Sequence, residues 1–385
     1  MNVLIVHNAY QQRGGEDSVV ESESALLRQR GHDVAVLLRH NDDVKNISRL
    51  RLAVDLIWAT RTEQDVEAYV ESFRPDVIHV HNTLPLISPS VYWAAARFGI
   101  PVVQTLHNFR LLCPQATLLR DGNICEECVG RLPWPSIVHR CYRDSRIQSA
   151  AVTMMLGIHR GIGTYRNKVS RYIALTDFGR DKFIDAGFDP LQIAVKPNFV
   201  DWIPPPRPHL RRGGLYVGRL SAEKGIEVLL KALASYQGQS VSVIGGGPFE
   251  NNVRATAGVK YEGALPLTDV MQRMQKAAYL VLPSTCYEGF PRTLVEAFAS
   301  GLPVIASRHG PFVELIRHGI TGLLFAPGDA RDLENKLVWA DTHAEEMLEM
   351  GLTARREYEE KYTPDRNAIM LEAIYKKAMS NTVPI

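Results

Sequence analysis

The sequence predicts an α/β protein made of two doubly wound, parallel-sheet domains. Short apolar runs alternate with amphipathic stretches along the chain, which is the pattern of successive βαβ units. A proline-rich segment at residues 198–212 interrupts this alternation near the middle, and the alternation then begins again. The length of 385 residues is sufficient for two domains of ordinary size.

In the first half, apolar runs bounded by turn residues predict the strands, and amphipathic stretches predict the helices between them. The predicted strands are residues 3–7, 33–38, 76–80, 101–106, 171–175 and 192–195, with helices at 17–29 and 89–97. We expect them to form an N-terminal domain of residues 1–197, with a cysteine-containing insertion at 108–142.

The second half repeats this pattern. Its predicted strands are residues 215–217, 240–244, 260–262, 279–282, 303–306 and 323–325, with helices at 223–234, 268–276 and 292–299. We expect a second domain of residues 198–363, followed by an amphipathic helix in a tail of residues 364–385. Since open α/β sheets bind ligands at the carboxyl ends of their strands, two such domains predict a ligand cleft between them.

Composition excludes several classes of protein. The 44 basic and 42 acidic residues give a formal net charge of +2, which makes no case for a nucleic-acid partner. No apolar run reaches the roughly 18–20 residues of a membrane span. The apolar start lacks the basic flank of a signal peptide, so we expect a cytoplasmic protein. In that compartment the five cysteines are not expected to form a disulfide framework.

Glycine-rich turns follow several predicted strands. Gly14 and Gly15 open the first helix, where backbone amides favour a phosphate, although an ordinary turn would look similar. The run from Gly218 to Gly225 places Arg219 and Lys224 beside a helix start, which suits a diphosphate. A further turn, which includes Gly247, ends the next strand.

Two glutamates lie eight positions apart around the predicted helix 292–299. Glu288 falls in the preceding loop, and Glu296 falls on the helix itself. Carboxylates accept hydrogen bonds from neighbouring sugar hydroxyls. Gly289 and Phe290 offer backbone amides near the helix start.

Together, the G-R-x5-G run with its lysine, the E-x7-E run and the following Ala-Ser-Gly-Leu-Pro-Val-Ile-Ala resemble family 4 retaining glycosyltransferases of the GT-B fold. The resemblance implies that Arg219 and Lys224 hold a donor diphosphate, that Glu288 binds the donor sugar and that Glu296 binds the ribose. It also implies a tail helix that returns to the N-terminal domain. The implied donor-binding set is Gly14, Gly15, Gly218, Gly247, Gly263, Leu265, Gly289, Phe290, Leu294 and Glu296.

Histidines follow two strands of the first domain. His107 comes directly after the strand 101–106, where the family has a histidine close to the donor sugar; a purely structural histidine is the alternative. The resemblance makes His107 part of a catalytic set with Arg219, Lys224 and Glu288. His79 and His81 alternate on one strand and share a face. His81 and Asn82, at the strand's end, are the acceptor-side candidates.

The resemblance implies transfer of a sugar from a nucleotide diphosphate, most simply UDP or GDP, to a hydroxyl of a glycan or polyprenyl-linked acceptor. Anomeric configuration would be retained by front-face attack, and no cofactor would be required for catalysis. The products would belong to bacterial surface polysaccharide or glycoconjugate synthesis. Two alternatives stay open: a nucleotide-sugar 2-epimerase-like enzyme, and a non-catalytic nucleotide-sugar-binding subunit.

Four cysteines form a C-x11-C-x2-C-x12-C pattern: Cys113, Cys125, Cys128 and Cys141. The C-x2-C step is typical of metal ligands, and four thiolates suit a tetrahedral structural zinc. Unligated thiols, a disulfide and an iron–sulfur cluster remain alternatives.

A basic segment follows the cysteines. Residues 120–171 contain 9 basic and 4 acidic side chains, and an apolar stripe recurs there at helical spacing. The stripe is Ile147, Ala151, Met154, Ile158 and Ile162. This helix is expected to pack on its own domain, to contact an anionic membrane surface near a lipid-linked acceptor, or to do both in part; the membrane contact would make the protein peripheral to the membrane.

Overall fold

The computed structural model describes residues 1–11, 14–201 and 211–380, and it contains two six-stranded parallel sheets. The predicted α/β class with two doubly wound domains is therefore confirmed. The chain divides into two compact units: residues 1–117, 126–198 and 367–385 form the first, and residues 118–125 and 199–366 form the second. The proline run predicted as the linker lies mostly at 202–210, outside the described residues.

The described part of residues 1–198 contains eight strands. They are β1 (Asn2–Ala9), β2 (Asp33–His40), β3 (Val77–Asn82), β4 (Val102–Leu106), β5 (Leu119–Arg120), β6 (Asn123–Ile124), β7 (Arg171–Ala174) and β8 (Ile193–Val195). The first sheet has the order β2-β1-β3-β4-β7-β8, while β5 and β6 form a separate antiparallel hairpin. The strand order of this sheet reverses between β1 and β3, which is where open sheets bind ligands.

Helices connect these strands, as parallel pairing requires. They are α1 (Gly15–Gln29), α2 (Arg49–Ile57), α3 (Thr60–Phe73), α4 (Ser90–Arg97), α5 (Pro135–Val138), α6 (Arg146–Gly161), α7 (Thr164–Asn167) and α8 (Asp177–Asp185).

The second sheet has the order β11-β10-β9-β12-β13-β14. Its strands are β9 (Gly214–Val217), β10 (Val241–Ile244), β11 (Val259–Gly263), β12 (Tyr279–Leu282), β13 (Val304–Ser307) and β14 (Gly322–Phe325). The helices that follow are α9 (Ile226–Ser235), α10 (Glu250–Ala255), α11 (Leu267–Lys276), α12 (Arg292–Ala299), α13 (Pro311–Leu315), α14 (Ala330–Thr342), α15 (Ala344–Lys361) and α16 (Pro364–Ser380). This is the six-strand order of a dinucleotide-binding fold, with its reversal between β9 and β12.

The central strands are buried on both faces. Residues 3–6 of β1 have no exposed surface, and all four residues of β12 are buried. Strands covered by helices on both faces read as continuous apolar runs, which is why the sequence predicts them well.

The tail helix is anchored in the first unit by buried polar contacts. The Tyr375 hydroxyl lies 2.8 Å from His79 Nδ1, and the Asn367 amide donates to the carbonyl of Pro197 at 2.7 Å. Ala368, Leu371 and Ala378 are completely buried on the same helix. Residues 367–380 of α16 therefore contribute to the core of the first unit.

The apolar stripe on α6 faces outward rather than packing on its own domain. Ile147 is 84% exposed and Met154 50%, whereas the opposite face of α6, with Val152 and Leu156, is buried. The α5 segment lies against α6, since the Ser136 and Thr153 hydroxyls are 2.9 Å apart. It adds exposed apolar side chains to this surface, which comprises Leu132, Trp134, Val138, Ile147, Met154, Ile158 and Ile162.

Candidate active site

In the second unit, the loops after β9 and β12 meet at the reversal of strand order. The loop after β9 carries Arg219 and Lys224, and the loop after β12 carries Glu288. The two loops approach closely at Gly225, where an added Cβ would lie 1.8 Å from the carbonyl oxygen of Pro283. Glycine is thus needed there for the loops to meet.

Lys224 and Glu288 form an ion pair at this point. Lys224 Nζ lies 2.8 Å from both carboxylate oxygens of Glu288, and the Ser284 hydroxyl donates to the same carboxylate at 2.6 Å. Burial alone would raise the pKa of Glu288, but Lys224 and Ser284 outweigh burial, so that the net change is a decrease. Burial would lower the pKa of Lys224, but Glu288 reverses that effect to a net increase. The pair therefore stays ionised through the neutral range.

Arg219 lies near the start of the loop after β9. Its guanidinium pairs with Glu223, and its side chain is 59% exposed. The Ser221 hydroxyl also donates to Glu223, at 2.7 Å. The loop thus presents two cations that are each paired with a carboxylate: Arg219, which is mostly exposed, and Lys224, which is less exposed.

Backbone hydrogen bonds join the glycine turns after β9, β10 and β11. The amide of Gly218 donates to Ile244 at 3.0 Å, and the amide of Gly245 donates to Gly263 at 2.8 Å. A Cβ on Gly247 would lie 2.5 Å from the carbonyl oxygen of Leu220. The structure therefore brings together the predicted Gly218, Gly247 and Gly263. Leu265, two residues further on, is half-buried.

Residues on and before α12 are more deeply placed than the sequence suggests. Glu296 is 6% exposed, and its carboxylate pairs with Arg292 Nε at 3.2 Å. Burial raises the pKa of Glu296, although Arg292 opposes this. Phe290 is 8% exposed, and Gly289 beside it is half-buried. Leu294 has no exposed surface, so its side chain packs in the core, and its predicted donor contact stays a prediction.

Sequence reasoning missed three side chains of this region: Ser284, His309 and Arg292. His309 Nε2 lies 2.7 Å from the carbonyl oxygen of Ser284. His309 lies two residues after the end of β13, so its position beyond the carboxyl end of a predicted strand could have identified it. Burial lowers its pKa, which keeps the ring neutral.

In the first unit, the backbone at the start of α1 is hydrogen-bonded to a carboxylate of the same helix, that of Asp17. The backbone amide of Gly14 donates to the Asp17 carboxylate at 2.7 Å, and Asp17 also accepts from His7 Nε2 at 2.8 Å. The amide of Gly14, predicted to face a phosphate, is therefore already engaged. The Asn108 amide donates to Glu16 at 2.7 Å, which places the loop after β4 beside this turn near the exposed Gly15.

The acceptor-side candidates of β3 are engaged inside the unit. The side chain of His81 has no exposed surface, and its Nδ1 lies 2.8 Å from Nε2 of the half-buried His107. Asn82 donates to the carbonyl of Asn8 at 2.7 Å and accepts from the amide of Leu84 at 3.0 Å. The side chain of His81 is therefore enclosed within the unit in contact with His107, and its acceptor-side role stays a prediction.

The insertion contains four of the five cysteines, and two of these four, Cys113 and Cys128, are buried. None of the five described cysteines forms a disulfide. Within the described part of the chain, the sulfurs of Cys113, Cys128 and Cys141 do not all lie within 4.8 Å of one another. A structural zinc held by these three and Cys125 stays a prediction. Elemental analysis of protein purified without chelator addresses it directly.

Comparison with known proteins places this geometry in a family. Residues 14–198 match the model of the glycosyl transferase 4-like domain, and residues 211–340 match that of glycosyl transferases group 1. The chain belongs to the group 1 glycosyltransferases. The predicted resemblance is therefore confirmed.

Curated relatives share moderate identity with this glycosyltransferase. An uncharacterized 42.6 kDa protein of the cps region of Klebsiella pneumoniae is 23% identical over 359 residues, 82% of this chain and 88% of that protein. The amylovoran biosynthesis glycosyltransferase AmsK of Erwinia amylovora is 30% identical over 164 residues, 38% of this chain. That second alignment covers 40% of AmsK, so it relates only part of the two proteins.

Solved structures confirm the GT-B fold. HepE of Anabaena, crystallised in complex with UDP, has a TM-score of 0.66 at 18% identity and covers 98% of this chain and 100% of its own. Sucrose-phosphate synthase of Thermosynechococcus elongatus has a TM-score of 0.73 at 17% identity, covering 98% and 99%. Among the described residues, no helix is both long and apolar enough to cross a membrane.

Proposed function

We propose that this protein is a retaining glycosyltransferase that transfers a sugar from a UDP- or GDP-sugar to a hydroxyl of a glycan or polyprenyl-linked acceptor. The observation that carries this proposal is the meeting of Lys224 and Glu288 at the strand-order reversal of the second sheet. The similarity to AmsK, named for amylovoran biosynthesis, supports a role in bacterial surface polysaccharide or glycoconjugate synthesis. The UDP complex of the structurally similar HepE supports a nucleotide donor.

The two cations suit a leaving diphosphate. Negative charge develops on the diphosphate as its bond to the sugar breaks, and preorganised cations stabilise that charge. Lys224 is preorganised by its carboxylate partner, and Arg219 is accessible from solvent. In this proposal, Glu288 binds the donor sugar, Glu296 binds the ribose and the reaction requires no metal cofactor.

Donor binding has a direct test. We expect one UDP-, GDP- or dTDP-sugar to raise the melting temperature of the protein, because a ligand of the folded state stabilises it by mass action. Thermal shifts across a panel of nucleotide diphosphates and their sugars measure this. Arg219→Ala is expected to abolish the shift, whereas Arg254→Ala, which removes an equally exposed arginine paired with Glu250, is expected to retain it. No shift with any donor, or equal shifts in both variants, would contradict the diphosphate site.

We further propose that the surface formed by α5 and α6 contacts an anionic membrane, so that the enzyme works in the cytoplasm at the inner face of the cell membrane. Its exposed apolar side chains, such as Trp134 at 60% and Ile147 at 84%, come from the same stretch of sequence as the exposed cations Arg140, Arg143 and Arg146. Apolar insertion combined with basic charge is the pattern of interfacial helices. This placement would bring the enzyme to a polyprenyl-linked acceptor.

Vesicle binding tests this surface. We expect sedimentation with vesicles that contain anionic lipid, and weaker binding as salt screens the basic residues. The double variant Ile147→Asp/Met154→Asp is expected to lose at least about tenfold in vesicle affinity, since each buried apolar side chain contributes about 1.5–3 kcal/mol. Leu191→Asp is the control, because Leu191 is 80% exposed elsewhere in the first unit. Equal binding by all three proteins would refute the membrane surface.

A further inference from the structure

The first unit contains a row of polar side chains that leads from a buried cation to His107. Lys196 Nζ lies 2.6 Å from Glu23 Oε1, and neither side chain has any exposed surface. On the other side of this carboxylate, Glu23 Oε2 lies 3.6 Å from His81 Nε2. His81 Nδ1 in turn lies 2.8 Å from His107 Nε2. We call Lys196, Glu23, His81 and His107 the histidine relay.

The charge on Glu23 decides where His81 carries its proton. Neither Glu23 Oε2 nor His81 Nε2 has another hydrogen-bond partner among the described residues. Their separation of 3.6 Å exceeds an ordinary hydrogen bond, yet the carboxylate still attracts an N–H and repels a nitrogen lone pair. His81 therefore carries its proton on Nε2, which leaves Nδ1 as an acceptor.

We propose that Glu23 and His81 are positioning residues that hold His107 with its proton on Nε2 and with Nδ1 unprotonated. Since His81 Nδ1 accepts, the facing His107 Nε2 must donate. His107 is then able to accept a hydrogen bond at Nδ1 from a hydroxyl group, but unable to donate one from that atom. The action of His107 on a substrate hydroxyl rests on the proposed function, whereas its tautomer does not.

The surroundings keep both rings neutral, as a fixed tautomer requires. Burial lowers the pKa of His81 well below its ordinary value, and the neighbouring His79, His107, His7 and Lys196 lower it further. Burial likewise lowers the pKa of His107, with further decreases from His7, His79 and Lys196 and a smaller opposing effect from Asp17. Lys196 would repel the cationic form of either ring.

A metal ion is a weaker interpretation of the same cluster. Ligand atoms of Glu23, His79 and His81 lie within 4.8 Å of one another. However, the ring nitrogens of His79 lie 2.8 Å from the hydroxyls of Tyr375 and Thr105, which already engage them. The ammonium of Lys196 also neutralises Glu23 and would repel a cation. These contacts favour a hydrogen-bonded relay over a cation site.

The tautomer is measurable without any substrate. In the full chain labelled with ¹⁵N-histidine, the ring nitrogen shifts near neutral pH report which nitrogen of each histidine carries a proton. Loss of signals in His107→Gln and His81→Gln assigns them. We expect His107 to be protonated on Nε2 alone in the wild type, and to become a mixture of tautomers in Glu23→Gln. A wild-type His107 that is protonated on Nδ1, or mixed, would overturn the proposal.

Two further variants separate positioning from folding. Glu23→Gln leaves Lys196 buried without its counter-charge, so the double variant Glu23→Gln/Lys196→Met removes both charges and keeps the shape of the site. It is expected to show the same mixed tautomers. His40→Gln, at a histidine whose side chain is 44% exposed, is expected to leave the His107 signals unchanged.

Kinetics then links the tautomer to transfer. We expect kcat of the double variant to fall about 10- to 100-fold, the loss seen when the hydrogen-bond partners of metal-binding histidines are removed, while the donor KM changes by less than about twofold. Unchanged kcat with mixed tautomers would overturn the positioning role. A wild-type protein with a single His107 tautomer that transfers no sugar from any donor would refute the proposed function and leave the relay intact.

Discussion

Replacing Lys224 with Met is expected to lower kcat/KM for sugar transfer at least about 100- to 1,000-fold. Removal of one preorganised group that stabilises developing negative charge costs this much in other enzymes. Lys224 is held by both oxygens of Glu288, so its ammonium is fixed before a donor arrives. Initial rates with the donor identified by thermal shift, at several donor concentrations, measure the loss.

Lys336→Met is the matched control for this loss. Lys336 is a lysine of the same unit that pairs with Asp332 at 3.7 Å on α14, away from the loops after β9 and β12. Its replacement is expected to leave kcat/KM within about twofold, since ion pairs of this kind contribute little. If both variants lose activity equally, the loss reflects folding of the second unit rather than charge stabilisation.

Combining Lys224→Met with Glu288→Gln extends this prediction. Because the two side chains touch, we expect the double variant to lose much less than the product of the two single losses. The proposal gives each residue its own ligand, the diphosphate for Lys224 and the sugar for Glu288. Fully additive losses would therefore mean that the ion pair itself plays no part in preparing the site.

The strands were the most predictable part of the fold. Buried parallel strands such as β1 and β12 are continuous apolar runs, so the sequence marks them directly. The highly charged helix α15 was missed, although Met347, Met350, Ala354 and Tyr358 repeat at helical spacing and are all buried. Its signal was a periodic stripe among charged residues, which a search for apolar runs does not detect.

The residues of the candidate site were also predictable only where the sequence signal is local. Lys224, Glu288 and the glycine turns follow predicted strands. Because open α/β sheets bind ligands at the carboxyl ends of their strands, the sequence predicts these residues as part of a site. The pairing of His81 with His107 joins residues 26 positions apart, and that of Glu23 with Lys196 joins residues 173 positions apart. Motif spacing carries no information about such contacts, because only the packed first unit creates them.

Gly225→Ala is expected to destabilise the second unit by about 2–5 kcal/mol and to reduce donor binding with it. At φ +70° the backbone is left-handed, which costs an alanine about 1–2 kcal/mol. The new Cβ would also overlap the Pro283 carbonyl oxygen at 1.8 Å, and relief of such overpacking costs about 1–3 kcal/mol more. Urea denaturation followed by tryptophan fluorescence measures the free energy of unfolding.

Gly258→Ala separates the two causes of this loss. Gly258 has a similar φ of +76°, but nothing lies within 4 Å of an added Cβ. Its replacement is therefore expected to cost only the left-handed strain of about 1–2 kcal/mol and to leave donor binding intact. Equal destabilisation of the two variants would mean that the overlap with the Pro283 carbonyl oxygen is relieved at no cost in free energy, because the loops after β9 and β12 move apart freely. In that case Gly225 would not be what holds Lys224 against Glu288.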